Sequence, residues 1–238
     1  MKKRPPAKKR WKAVPSKPSA TSATKSKPFK AASVTETVQL LKKHYPDAHC
    51  ALDHDSPFQL LIATILSAQC TDERVNMVTK GLFKAYPTSS AMAQAEISHL
   101  EELVRSAGFY QNKARNLKAC SQALVEGYGG EVPRELEALI ELAGVGRKTA
   151  NVVLGNAFGM TSGIVVDTHV GRLSFRFGWT KSENPVIIER DLQPQIRHED
   201  WILISHLLIF HGRQVCKARN PQCDHCFLFD LCPRRGVK

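Results

Sequence analysis

Three features of the sequence predict an all-α fold. Apolar residues between positions 34 and 215 recur at helical spacing, and residues typical of helix starts and stops separate the segments. Only residues 164–166 have the pattern of an extended segment. A chain of 238 residues can bury one sizeable core or two small ones. We therefore expect about ten helices joined by short loops.

The first predicted helix has an apolar face that begins at Val34 and Val38, and the second opens at Ser56 and Pro57, a favourable start. A third and a fourth begin near Val75 and Ile97. The glycine-rich run at 127–130 ends the fifth, because glycine readily terminates a helix. The fifth and later helices are predicted over residues 112–125, 134–142, 147–158, 168–177, 185–195 and 198–211.

Basic charge is concentrated in one tail. Residues 1–33 hold eleven of the 34 Lys and Arg and no acidic residue, which leaves 23 basic against 22 acidic residues in the rest. The proline-rich composition predicts disorder. The tail is interpreted as an arm for DNA phosphates, a solvated leader, a nuclear-localisation signal or a transit peptide. Without a long apolar stretch, we expect a soluble, intracellular protein.

Residues 142–150 have the pattern of a helix, a tight Gly-x-Gly turn and a second helix. Gly144 and Gly146 permit backbone conformations closed to other residues and leave room for a phosphate. The start of the second helix attracts anions, and the Arg147-Lys148 pair adds positive charge. A helix-hairpin-helix that binds DNA phosphate is predicted, with a plain turn between helices as the alternative.

Lys148 is unusual at a helix start, where acidic side chains are favoured. Desolvation or nearby positive potential can lower the pKa of a lysine and make its amine nucleophilic. Such an amine could attack a sugar C1′, displace the base and allow strand cleavage by β-elimination. Asp167 follows the apolar residues 164–166 at the next helix start. Its carboxylate could stabilise positive charge on the sugar. The alternatives are a phosphate contact for Lys148 and a helix cap for Asp167.

Four cysteines near the C terminus are spaced C-x6-C-x2-C-x5-C. Four thiolates within 17 residues suit an iron-sulfur cluster or a zinc site. A single C-x2-C knuckle favours iron over zinc, with unligated thiols as a third possibility. The basic residues around this loop could contact the DNA backbone, screen the cluster or remain solvated; they are Arg213, Lys217, Arg219, Arg234 and Arg235. These cysteines are Cys216, Cys223, Cys226 and Cys232; Cys50, Cys70 and Cys120 are interpreted as ordinary buried thiols.

Together these motifs resemble the endonuclease III family of DNA glycosylases, from about residue 35 to 234. The matching stretches are 67–72, 144–153, 166–169 and the cysteine loop, in the family's order. The resemblance implies a two-lobed fold with a six-helix domain at 50–160, a cluster domain at 34–49 plus 161–238, and a DNA cleft between them. We also expect a monomer that works in the cytoplasm, or in the nucleus of a eukaryote.

By the same resemblance, Lys148 would be the Schiff-base nucleophile, Asp167 the essential carboxylate, and the four cysteines the ligands of a 4Fe-4S cluster. The enzyme would remove oxidised pyrimidines from double-stranded DNA and nick the strand at abasic sites. Gln69 would fill the gap left by the everted nucleotide, and Phe109 would act as a wedge where the family usually has Leu. The remaining residues implied to line the pocket or contact DNA are Asp72, Gly144, Gly146, Arg147, Thr149 and His169.

The sequence departs from the family at Ala143, where Pro is common, and at Gly171, where a bulkier residue is common. The loop 160–163 is also slightly long. Two alternatives remain at this point. One is an adenine-mismatch glycosylase, against which the presence of Lys148 argues. The other is a non-catalytic helix-hairpin-helix protein that only binds DNA.

Overall fold

The computed structural model describes residues 33–237, and within that range every regular element is helical. This confirms the all-α prediction. The basic tail lies outside the described residues. Helices α1 to α11 are Val34–His44, Pro57–Leu66, Asp72–Ala85, Ser89–Ala93, Ile97–Val104, Tyr110–Tyr128, Leu136–Ile140, Arg147–Phe158, Thr168–Phe177, Pro185–Leu192 and Trp201–Gln214. Three short 3-10 turns occur at Arg105–Ala107, His198–Asp200 and Cys223–His225.

Short polar side chains and prolines fix where several helices begin. The hydroxyls of Ser56 and Thr71 accept backbone N–H groups at the starts of α2 and α3. Asn184 does the same for α10, whose first residue is a proline. Glycines in the left-handed conformation end α8 at Gly159 and α9 at Gly178. The Ser56-Pro57 start is one of the local signals by which the sequence predicted a helix.

The described helices enclose two hydrophobic cores. The first, which we call the hairpin lobe, takes its buried residues from 52–154 and contains α2 to α8. The second, the cysteine lobe, combines α1 with residues 164–228. Helix α1 joins the later lobe because Val38 and Leu41 are buried there with α9 and α11. The chain between α8 and α9 therefore crosses from one lobe to the other.

Some predicted helix limits are wrong. The helix predicted over 134–142 is only α7, and the one predicted over 198–211 is a 3-10 turn followed by α11. Residues 164–166 form no strand, because the described part of the chain supplies no second extended segment to pair with them. None of the described helices has the length and apolarity to cross a membrane.

Candidate active site and cysteine centre

The predicted hairpin turn lies between α7 and α8. Gly144 has φ +78°, and a Cβ there would lie 3.0 Å from Nδ2 and 3.1 Å from Cβ of Asn116. Only glycine fits this position without strain. Gly146 precedes α8 and provides no side-chain cap, and the first turn of α8 has no acidic residue. The N–H groups at this helix start are consequently available to an anion.

Lys148 lies in the first turn of α8, exposed to solvent, and Thr149 beside it is half-buried. Lys148 and Asp167 both line a cleft of about 540 Å³ between the lobes. The same two residues also line a second hollow, of about 650 Å³, toward α10. The cleft has the volume of an ordinary small-molecule site. The structure thus brings the two predicted catalytic residues to one cavity.

Asp167 caps α9. Its Oδ1 accepts hydrogen bonds from the N–H groups of His169 at 2.9 Å and Val170 at 2.8 Å. The other carboxylate oxygen, Oδ2, has no hydrogen-bond partner among the described residues. The helix cap and the stabilisation of positive charge, the two roles predicted for Asp167, are therefore compatible. One oxygen caps α9, and the second has no hydrogen-bond partner among the described residues and could interact with a ligand.

His169 and Asp72 connect this site to α11. Nδ1 of His169 lies 3.1 Å from Nη2 of Arg172, and a Cβ at Gly212 would lie 2.7 Å from the same ring nitrogen. Burial lowers the pKa of His169, although the charge of Asp167 opposes this effect. Asp72 accepts from Nη2 of Arg213 at 2.6 Å, an ion pair that joins the two lobes. Arg213 therefore pairs across the cleft.

Gln69 and Phe109 are both exposed and both have left-handed backbone conformations, with φ of 55° and 47°. Such conformations are unusual for residues with side chains and often occur at functional sites. Phe109 follows Gly108, itself at φ +72°, and the buried ammonium of Lys113 holds this loop by donating to the carbonyl of Ala107 at 2.8 Å. Gln69 lines the cleft, whereas Phe109 lies outside its lining.

The sequence did not single out a polar wall inside the cleft. Its members are Asn151 and Asn156 of α8 and Ser205 and His206 of α11. Nε2 of His206 lies 2.7 Å from Oδ1 of Asn156. Asparagines within the apolar run of α8 were the available signal, because polar residues on a buried helix face need partners.

The four C-terminal cysteines ring one cavity. Within residues 33–237, no three histidine, cysteine or acidic side chains converge on a point that could hold a single ion. Burial, with the neighbouring thiols, raises the pKa of Cys226 to about 12. A thiolate at Cys226 therefore needs bound positive charge. Four sulfur donors around a shared cavity fit a polynuclear iron-sulfur cluster, in which each iron takes its own thiolate.

Neighbouring side chains support the cysteine centre. Nη1 of Arg176 lies 3.2 Å from Sγ of Cys216, and Nε2 of the fully buried His211 lies 3.5 Å from Sγ of Cys226. Among the basic residues predicted near the loop, Lys217 and Arg219 are exposed. Arg234 instead donates to the carbonyl of Phe229 and lies over its ring.

Comparisons with known proteins agree with this arrangement. Residues 62–198 match the family described as HhH-GPD superfamily base excision DNA repair protein, and residues 216–232 match the iron-sulfur binding domain of endonuclease III. Endonuclease III of Synechocystis sp. is 54% identical over 84% of this chain and 91% of its own length. The Bacillus subtilis protein is 46% identical over 82% of this chain and 88% of its own.

A solved structure of a non-covalent endonuclease III–DNA complex matches this chain with a TM-score of 0.79 and 46% sequence identity. The match covers 84% of this chain and 93% of the chain in that structure. A trapped covalent endonuclease III–DNA intermediate gives the same TM-score at 47% identity, with the same coverage. A thermostable thymine-DNA glycosylase, at 21% identity and a TM-score of 0.72, shares the fold.

Proposed function

Because the chain belongs to the endonuclease III family of HhH-GPD base excision DNA repair proteins, we propose that it is a bifunctional DNA glycosylase and abasic-site lyase. It carries the family's iron-sulfur domain, whose cofactor is a 4Fe-4S cluster. Its substrates are oxidised or ring-saturated pyrimidines and abasic sites in double-stranded DNA. The observation that carries the proposal is the meeting of Lys148 and Asp167 at one cleft, with one oxygen of Asp167 unpaired.

The reaction begins at Nζ of Lys148, which must be unprotonated to act as a nucleophile. The amine attacks C1′ of the damaged nucleotide, and the bond from C1′ to the base breaks. The base leaves with the bonding electron pair and takes up a proton. Oδ2 of Asp167 stabilises the positive charge that develops on the sugar during this step. Opening of the sugar ring then gives a Schiff base between Nζ and C1′.

Strand cleavage follows from the Schiff base. Loss of a proton from C2′ expels the 3′ phosphate by β-elimination, and hydrolysis of the imine releases Lys148. Gly144, Gly146 and Arg147 bind a DNA phosphate at the start of α8. Gln69 fills the gap that the everted nucleotide leaves in the duplex, and Phe109 acts as a wedge. Thr149, His169 and Asp72 line or support the pocket.

Cys216, Cys223, Cys226 and Cys232 hold the cluster, which stiffens the loop between α11 and the C terminus. The two hydrophobic cores support domain limits at 50–160 and at 34–49 plus 161–238. The enzyme acts as a monomer on the DNA of the cell, in the cytoplasm of a bacterium or the nucleus of a eukaryote.

Borohydride trapping tests the chemistry. The protein is mixed with a duplex that contains 5,6-dihydrothymine, and sodium borohydride is added to reduce any Schiff base. The wild type and Lys80→Gln, an exposed lysine of α3, should both give a covalent protein–DNA adduct. Lys148→Gln should give none. Retention of DNA with no adduct from any of these proteins would favour the non-catalytic module. Excision of undamaged adenine from mismatches in preference to dihydrothymine would favour the mismatch glycosylase.

A further inference from the structure

The polar wall of the cleft presents two unpaired groups beside the catalytic pair. Asn151 lies three residues after Lys148 on α8, so the two share a helix face. Its side chain is 5% exposed, and Oδ1 accepts from the hydroxyl of Ser162 at 3.1 Å. Nδ2 has no partner among the described residues. The two unused donors belong to a residue that lines the cleft, where a ligand can accept them in place of water.

Hydrogen bonds within the wall fix the tautomer of His206. Nδ2 of Asn156 donates to the carbonyl of Val152 at 2.8 Å, so Oδ1 is the atom that faces His206. An amide oxygen can only accept, and Nε2 of His206 must therefore carry the hydrogen. Burial lowers the pKa of His206 to about 4, which keeps the ring neutral near pH 7. Nδ1 is then an acceptor, and it has no partner among residues 33–237.

The cleft thus offers a free acceptor on α11 and free donors on α8, both on the cavity that contains Lys148 and Asp167. The imide edge of a thymine- or uracil-type base has the complementary pattern, with an N3–H between two carbonyls. The edge is symmetric in this respect, so a carbonyl lies next to the N–H on either side. Ring oxidation or saturation at C5 and C6 leaves this edge intact.

We propose that His206 and Asn151 are specificity-determining residues that bind the imide edge of the everted base. Nδ1 of His206 accepts the hydrogen on N3, and Nδ2 of Asn151 donates to a neighbouring carbonyl. Asn156 is a positioning residue, because it acts only by fixing the tautomer of His206. This assignment deepens the proposed function and rests on it.

The proposed hydrogen bond from N3 of the base to His206 is tested by combining a substitution of His206 with methylation of the base at N3. Single-turnover excision is measured for 5,6-dihydrothymine and for its N3-methyl derivative, which lacks the donor. In the wild type, methylation should lower the rate about tenfold or more, as expected for a lost hydrogen bond that leaves a buried group unpaired. In His206→Ala, which removes the acceptor and makes room for the methyl group, methylation should change the rate less than about twofold.

Two further variants complete the experiment. His206→Phe keeps a ring of similar size without an acceptor, and it replaces the alanine variant if that protein does not fold. Without the acceptor, the hydrogen on N3 no longer contributes to binding. The excision rate of the N3-methyl base, divided by that of dihydrothymine, should therefore be higher in His206→Phe than in the wild type. His99→Ala changes an exposed histidine of α5 and should keep the wild-type response to methylation.

The outcomes separate this inference from the proposed function. A wild type that neither excises dihydrothymine nor forms the borohydride adduct contradicts the proposed function. A wild type that is active, with an equal methylation penalty in the wild type and both His206 variants, overturns the assignment of His206 alone.

Discussion

Asp167 has two roles that different substitutions should separate. Asn is as good a helix cap as Asp and can accept the same two N–H groups at the start of α9. Asp167→Asn should therefore lose only the charge–dipole attraction, about 0.3–1 kcal/mol. Asp167→Ala loses the charge–dipole attraction and also the two capping hydrogen bonds, which are worth about 0.5–2 kcal/mol. With about 2–4 °C per kcal/mol for a protein of this size, alanine should lower the melting temperature several degrees more than asparagine.

The chemistry should respond differently. Loss of one group that stabilises transition-state charge typically costs about 10²–10³ in rate, or about 2.7–4 kcal/mol. Both variants remove the free oxygen's negative charge, so both should slow single-turnover excision by about this factor. Thermal unfolding followed by circular dichroism supplies the stability measurement on the same preparations. Excision by Asp167→Asn at the wild-type rate would refute the proposed role of the carboxylate, and equal melting temperatures for the two variants would refute the cap.

Two other predictions concern stability. Gly144→Ala should destabilise the protein by about 1–3 kcal/mol in urea unfolding, because φ is +78° and Asn116 blocks the new Cβ. Gly146→Ala, with open space and φ −97°, should cost no more than about 1 kcal/mol, and equal losses would contradict the strain argument. Because the pKa of His206 is lowered to about 4 in the folded protein, the unfolded state takes up a proton on this ring first as the pH falls. The contribution of neutral His206 to the free energy of unfolding is therefore complete above about pH 6.5 and is lost toward pH 4. In His206→Gln, the free energy of unfolding should fall by up to about 3 kcal/mol less than in the wild type between about pH 6.5 and pH 4. An unchanged pH dependence would contradict the lowered pKa of His206.

Much of the fold could be predicted because its signals are local. The start of α2 at Ser56-Pro57 and the glycine turn before α8 each depend on residues within a few positions. The limits of α7 were less predictable, since apolar spacing continues beyond the five residues that are helical. The packing of α1 with the far end of the chain has no local signal, and it was expected only from the family resemblance.

The candidate site divides in the same way. Lys148 and Asp167 were predicted because each stands at a helix start, where its chemistry contrasts with its surroundings. The partners of the site were not predictable from local pattern. Asp72 and Arg213 lie 141 positions apart, and Asn156 and His206 lie 50 apart. With one sequence, only the folded chain shows that these pairs meet.

Helix α9 connects the Asp167 end of the cleft to the cysteine centre. Asp167 caps its start, and further along Arg172 donates to the carbonyls of Gly212 and Cys216 at 3.2 Å each. Arg176, one turn later, donates to the carbonyl of Lys217 at 2.7 Å. The helix that Asp167 caps is therefore hydrogen-bonded directly to the segment that leads into the cysteine loop. The contact is made through these arginines, since the thiols themselves line a cavity separate from the one that Asp167 lines.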